Sequence, residues 1–293
     1  MAIKLYTKQY AGIVPDLFES RTHFLRSFGG TVQVHSDAEY NDKFLTLKTS
    51  DTDVTIQAYD TGAKVAFGEG TGNSSRFGER HEVKSVDTTV DWETPLAIHE
   101  GIDRFTVNDI PQQVVAERLA LHGVAWAEHV DGMLGKSLSD NASATLTGDL
   151  TEEGVVQAFV DARKAFVNNK VSRNVAWVAY VNTDVFNLLV DSKLATTAKN
   201  SSANIDNQTL YAFKGFLLQE IQDDAFETGE QIYFAADNVG VVGIGIEVAR
   251  VLDSEDFNGV ALQGAGKYGK YIPVKNKKAI LKAKLTEPDP AGV

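Results

Sequence analysis

No cysteine occurs in the sequence, which excludes disulfide staples, a thiolate nucleophile and cysteine-ligated zinc. Long apolar runs are missing too: none approaches the roughly 20 residues that a bilayer-spanning helix needs. Met1-Ala2-Ile3-Lys4-Leu5-Tyr6-Thr7 lacks the apolar stretch of a signal peptide. Positive charge is scarce. Against 40 Asp and Glu stand 28 Lys and Arg, a formal net charge of −12, whereas nucleic-acid binders usually cluster cations to neutralise phosphates. The one locally basic stretch is Lys275-Asn276-Lys277-Lys278, with Lys282 and Lys284 behind it. Its alternation with Ile280, Ala283 and Leu285 reads as one solvated face of a strand. Acidity does not exclude a container for nucleic acid, because a wall that must not hold its cargo tightly should not be strongly basic. What is present is 293 residues of 43% hydrophobic content, enough for a full core in one large mixed domain or two lobes sharing a sheet.

Candidate chemistry dissolves on inspection. Gly264-Ala265-Gly266-Lys267-Tyr268-Gly269 matches the dinucleotide-binding spacing, but that motif works where a strand turns into a helix. Lys270-Tyr271-Ile272-Pro273-Val274 is no helix, so β turns at these glycines are expected. His122 and His129 share a helix seven residues apart with Trp126 between them; zinc helices space histidines four apart, so a packed, half-polar pair is expected. Asp223-Asp224 and Glu227 to Glu230 read as a solvated acidic loop. No serine sits in a nucleophile elbow. No catalytic, cofactor-binding or metal-binding residue is assigned, and no cofactor is expected.

Along the chain, Pro15 and Asp16 open a short helix that Gly29-Gly30 ends. From Thr31 to about Val107 alternation at Val32/Val34, Leu45/Leu47 and Val54/Ile56 predicts β structure, with a return arm over 82–92. The loop between, 62–78, is rich in Gly, Ser, Thr and Asn and should be mobile unless a partner orders it. A two-stranded arm with so few apolar residues needs neighbours for stability. A long helix is expected over about 109–135 after Asn108-Asp109-Ile110-Pro111, and a second from Thr151 to about Asn168 with an acidic first turn. Then the pattern turns α/β: a buried strand over 175–181, a short helix capped by Thr183 or Asp184, and strands over 216–221 and 232–236. The run 239–251 fits helix or strand, and 259–285 is β again.

This order resembles the major capsid proteins of tailed bacteriophages, the HK97-like fold, in the α+β class. Three strings are similar to capsid proteins of siphophages from Gram-positive hosts. They are Ser75-Arg76-Phe77-Gly78-Glu79-Arg80-His81-Glu82, Ile98-His99-Glu100-Gly101-Ile102-Asp103-Arg104-Phe105-Thr106-Val107-Asn108, and Leu262-Gln263-Gly264-Ala265-Gly266-Lys267-Tyr268-Gly269-Lys270-Tyr271. The resemblance implies an N-terminal arm (1–42), an E-loop (43–95), a P domain with a spine helix (96–172), an A domain (173–250), and return strands with a C-terminal tail (251–293). It implies a non-enzymatic virion protein, assembled in the bacterial host cytoplasm. Its copies would form the hexamers and pentamers of an icosahedral shell around packaged DNA, which is held without sequence-specific binding. A separate scaffolding protein and a portal protein are the further expected partners, with no membrane partner. An encapsulin-like nanocompartment shares the fold expectation; a tail-tube protein does not account for the two long helices. Arg76, Phe77, Arg80 and Arg104 are the candidate inter-subunit contacts, because arginine grips carboxylates bidentately and is enriched at interfaces.

Overall fold

Two five-residue runs, Trp-Val-Ala-Tyr-Val at 177–181 and Ile-Tyr-Phe-Ala-Ala at 232–236, are apolar throughout and buried at every position. Such runs need cover on both faces of their sheet, and the fold is built around supplying it. The computed structural model describes residues 4–5, 22–35, 43–49, 54–62, 75–106, 111–192, 203–204 and 209–288. In chain order the strands are β1 (Lys4–Leu5), β2 (Gln33–Val34), β3 (Lys43–Thr49), β4 (Val86–Asp91), β5 (Leu96–Asp103), β6 (Thr145–Asp149) and β7 (Trp177–Val181). Then come β8 (Ala203–Asn204), β9 (Thr209–Leu210), β10 (Ala212–Phe213), β11 (Phe216–Glu220) and β12 (Ile232–Ala236). The last three are β13 (Val241–Asp253), β14 (Gly259–Tyr271) and β15 (Ile280–Thr286). The α-helices are α1 (Pro111–Asp140), α2 (Glu152–Asn168) and α3 (Thr183–Asp191), with 3₁₀ turns at Phe24–Phe28, Asp223–Ala225 and Val274–Ala279.

A mixed six-stranded sheet in the order β10-β11-β7-β12-β15-β6 carries the main core. Side chains alternate across its strands. On one face Trp177, Phe216 and Phe234 meet Phe159 and Phe166 of α2 in a set of edge-on and tilted ring contacts. On the other, Tyr180 and Tyr233 pack against Phe24, whose ring centroid is 4.9 Å from that of Tyr180. Thr151 caps α2, its hydroxyl accepting from the Gly154 amide. A second sheet runs β1-β13-β14-β5, with β2 parallel to β13. Trp126 and His129 of α1 rest on Tyr268 of β14. At 30 residues, α1 is about 45 Å long.

Several expectations change in detail. Of the helix expected from Pro15, residues 15–21 lie outside the described part. The rest is the 3₁₀ turn Phe24–Phe28, ended by Gly29 at φ 98°. α1 continues past 135 to Asp140, because Gly135 is a contact point for Phe24 and not a stop. The cap of α3 is Asn182, whose Oδ1 accepts from the Val185 amide, in place of Thr183 or Asp184. The ambiguous 239–251 run is the strand β13. Gly264, Gly266 and Gly269 are not turns: they pair with Ala249, Ile246 and Gly243 inside the β13–β14 ladder. Alternation puts Gly264 and Gly266 on the Tyr268 face, the side on which α1 packs. Lys275, Lys277 and Lys278 lie in a 3₁₀ turn and not in a strand. Lys282 and Lys284 do alternate with the buried Leu281, Ala283 and Leu285 of β15, Lys284 exposed and Lys282 half-buried, and both also reach the buried carboxylate of Glu230 at 2.8 and 3.7 Å.

Residues 43–91 form a compact unit of their own, the remainder of the chain forming the other. In the smaller unit β3 and β4 pair antiparallel, with a register shift between Lys43 and Leu45. Val54 and Ile56, expected in a strand, lie outside any ladder among the described residues.

Candidate assembly surfaces

The 43–91 unit has little interior. Phe44 is the one buried residue among those described in it, whereas Val54, Ile56, Phe77 and Val83 are between 69% and 95% exposed. Its order comes from backbone and polar ties. The Asp60 amide donates to the Arg76 carbonyl at 2.9 Å, and Gln57 Nε2 donates to the Glu79 carbonyl at 2.9 Å. Gly78 sits at φ 76° directly against the Gln57 side chain, where a Cβ would lie 2.2 Å from Oε1. The Tyr59 and Phe77 rings meet edge to face at 5.2 Å. The 63–74 part of the loop lies outside the described residues.

The four candidate contact residues fall into two places. Arg76, Phe77 and Arg80 lie together in the 43–91 unit, and Arg104 lies in the other. Arg76 is half-buried, and its guanidinium donates to the Gly62 carbonyl at 3.4 Å. It therefore has a role within the unit. Arg80 is exposed. Arg104 is exposed in the turn after β5, where its amide donates to the Asn258 carbonyl at 2.9 Å. Beside it Phe105 is 81% exposed; it sits in one of the quoted strings, and pairing an exposed aromatic with a neighbouring arginine could have found it. The tip of the β13–β14 hairpin, at Asn258, presents Asp253, Glu255 and Asp256 to solvent.

Polar ties hold α1 at three levels, and the sequence concealed all three. Near its start, Glu100 of β5 accepts a two-pronged hydrogen bond from Arg118, and His122 Nε2 lies 3.0 Å from the same carboxylate. Arg118 pulls the Glu100 carboxyl down to about 2 against the opposing effect of burial, with His122 helping. His122 is buried, but His129 is exposed over the Tyr268 ring, so the expected pair divides. In the middle, buried Asp131 accepts from His23 Nδ1 at 2.8 Å and from the Phe24 amide at 3.0 Å. That hydrogen bond raises the His23 pKa, with burial opposing it. Near its end, Ser139 accepts from Lys282, which pairs with Glu230. Burial pushes the Glu230 carboxyl up, but bonds from Lys282, Ser139 and Tyr233 outweigh it and leave the group below its ordinary value. Glu230 is thus part of the interior and not of a solvated loop.

Nothing in these ties positions a nucleophile beside a base. No cluster of three or more His, Asp or Glu side chains able to hold a metal occurs among the described residues.

No protein-family model matches the chain, and no curated protein matches it. Solved structures do. A structure from Mycobacterium phage Che8 superposes with a TM-score of 0.67 at 16% identity, covering 89% of this chain and 90% of that one. The asymmetric unit of the bacteriophage PhiM1 mature capsid gives 0.64 at 15% identity, over 92% and 88% of the two chains. The capsid structure of the cyanophage P-SCSP1u gives 0.67 at 9% identity, over 91% and 89%. With both partners in each comparison covered nearly end to end, the chain has the HK97-like α+β fold of phage capsid structures.

Proposed function

We propose that the chain is the major capsid subunit of a tailed phage, a structural and non-catalytic protein. Its copies assemble into the hexamers and pentamers of an icosahedral shell that encloses phage DNA. One observation carries this reading: the fold is shared over about nine-tenths of the chain with structures named as phage capsids. The 43–91 unit supports it, because a unit that exposes most of its large apolar side chains gains stability by covering a neighbour. In this reading 43–95 is the E-loop, α1 is the spine of the P domain, and 173–250 is the core of the A domain. The A-domain sheet also takes in β6 and β15 from either side of that range. Partners are further copies of the chain, a scaffolding protein, a portal protein, and DNA held without sequence-specific contacts. The site of action is the virion, after assembly in the host cytoplasm. Arg76, Phe77, Arg80 and Arg104 make contacts between subunits, which in closed rings are heterologous, joining different patches of neighbouring copies.

Negative-stain microscopy and sedimentation of the purified chain, with and without scaffold, test the reading. Capsomers or closed shells are expected. Tubes, or dispersed monomers at every concentration, salt and crowding condition, would overturn it.

A further inference from the structure

Two open depressions of about 260 and 330 Å³ adjoin at Val175, beside the C-terminal end of α2. Lys170, Lys275 and Lys278 line the first, and Arg163 and Arg173 the second. Lys214 is not in the lining itself but precedes Gly215, which is. This chain carries 40 acidic side chains, yet among the described residues none of them pairs with Arg163, Lys170, Arg173, Lys214 or Lys278. The one carboxylate in the two linings, Asp237, is already gripped by both prongs of Arg26, at 2.7 and 3.1 Å. Elsewhere Arg118, Lys136 and Lys282 find acids, while Lys48, Arg80, Arg104, Lys164 and Lys277 stand singly; here, by contrast, several such cations line adjoining depressions.

The backbone adds a second, independent sign. Only three non-glycine residues of the described chain have positive φ, and they are Lys170 (57°), Lys214 (49°) and Asn238 (59°). All three border these depressions. Lys170 occupies the left-handed position that closes α2, with its own amide on the Val167 carbonyl and the Val171 amide on the Phe166 carbonyl, a place that glycine ordinarily fills. Lys214-Gly215 forms the two-residue turn between β10 and β11, where asparagine followed by glycine is the favoured pair. Lysine therefore stands at two turns where a cheaper residue exists. The helix dipole rationalises Lys170, and the Phe213 ring under Lys214 at 5.7 Å rationalises part of Lys214. Arg173 lies over the Trp177 ring at 5.8 Å, but none of these local accounts explains why Lys170, Lys275 and Lys278 line one depression and Arg163 and Arg173 the adjoining one, with Lys214 at its edge.

We propose that this surface binds the phosphate backbone of nucleic acid without reading sequence. An acidic protein partner is the competing occupant. The composition favours phosphate: four of the six cations are lysine, which is depleted at protein–protein interfaces, and Asn238 adds an amide of the kind that contacts phosphate. The inference rests on the capsid reading only for the identity of the nucleic acid at hand, the enclosed DNA.

The test uses the full-length chain, unassembled, and a fluorescein-labelled duplex of about 30 base pairs in two unrelated sequences. Anisotropy is followed from about 20 mM salt upward, and log K should fall linearly with log salt at about −0.9 per phosphate engaged. Four to six engaged cations give a slope of about −3.6 to −5.4. Lys275→Glu with Lys278→Glu should weaken low-salt binding by about tenfold or more. Lys170→Gly and Lys214→Gly relieve the strained turns, so each should melt no lower than wild type while flattening the slope by about 1. No binding at the lowest salt, or binding that all these variants leave unaltered, overturns the proposal. So does a set of variants that bind DNA normally but self-associate less, which makes the surface a subunit interface. Shell formation is not needed for any of these measurements, so they fail or succeed separately from the capsid reading.

Discussion

Two glycines three residues apart in α1 should respond to alanine with opposite sign. In a helix interior, alanine is favoured over glycine by about 1 kcal/mol. At Gly132 an added Cβ meets nothing within 4 Å, so Gly132→Ala should gain that full amount. At Gly135 it would lie 2.8 Å from Phe24 Cε2 and 2.9 Å from the Ala225 carbonyl oxygen. Neither neighbour can step aside: Phe24 is fully buried against Tyr180, Tyr233 and Phe226, and the other contact is backbone. Overpacking of this kind costs about 1–3 kcal/mol, which cancels or outweighs the propensity gain. Gly135→Ala is therefore expected between unchanged and about 2 kcal/mol less stable than wild type, and about 1–3 kcal/mol below Gly132→Ala. Urea denaturation followed by tryptophan fluorescence measures both, provided the slope is the same in the two variants. If Gly135→Ala proves as stabilising as Gly132→Ala, Phe24 does not occupy the space beside α1, and the docking of residues 22–28 between helix and sheet is wrong.

Three further outcomes are expected. Glu100 titrates near 2 when folded, below its ordinary 4.5, so its contribution to stability is complete above pH 4.5 and disappears as pH falls toward 2; Glu100→Gln should flatten that part of an acid-denaturation curve. His23 has a raised folded pKa, from an ordinary 6.5, so its tie to Asp131 is fully present below pH 6.5 and lost as pH rises through the folded value. A His23→Gln variant should lack this alkaline loss, and an unchanged pH profile would count against the tie. Arg80→Glu should leave the melting curve unchanged but lower the yield or salt tolerance of shells, since an unpaired interfacial charge costs about 2–5 kcal/mol if buried. Arg76→Glu should do the same with some loosening within the 43–91 unit, because Arg76 also donates to the Gly62 carbonyl.

Legibility in the sequence followed the range of the interactions. β7 and β12 are readable because strands covered on both faces must be apolar without interruption. α2 is readable because its cap, acidic first turn and apolar stripe lie within 20 consecutive residues. The glycine-rich stretches of β13 and β14 were not, since glycine marks a turn locally and only the facing strand shows it to be ladder. Val54 and Ile56 have the alternation of a strand but no partner strand pairs with them among the described residues, so the pattern misleads. Glu230 looked solvated because its partners Lys282 and Lys284 lie far from it in the sequence. The pairing of Glu230 with Lys282 in β15 joins positions about 50 residues apart, a distance over which composition carries no information. The four candidate contact residues could be placed in turns and arms but not given partners, because the partner in another copy that the proposed function assigns them would leave no trace in one copy's periodicity.

If the chain assembles as proposed, the ties along α1 bear on why it keeps buried polar groups at all. Asp131 and Glu230 are each less than 7% exposed, and taking carboxylates out of water costs several kcal/mol before any partner is found. Apolar residues of like volume at such sites often stabilise a fold as well or better, so stability alone is a poor reason for them. Position is a better one. A long apolar helix on a sheet can slide or rotate among packings of similar energy, because hydrophobic contact is non-directional. A carboxylate that must meet His23 and the Phe24 amide at once admits one rotation and one register. Glu100 and Glu230 repeat that constraint on either side, about 20 residues apart along the helix, at Arg118 and Ser139. In a ring closed by heterologous contacts, a small error in each subunit's shape accumulates around the axis. Under the capsid proposal, three directional ties on the longest element would suppress that error at its source, which is where a repeated subunit gains most from buried polarity.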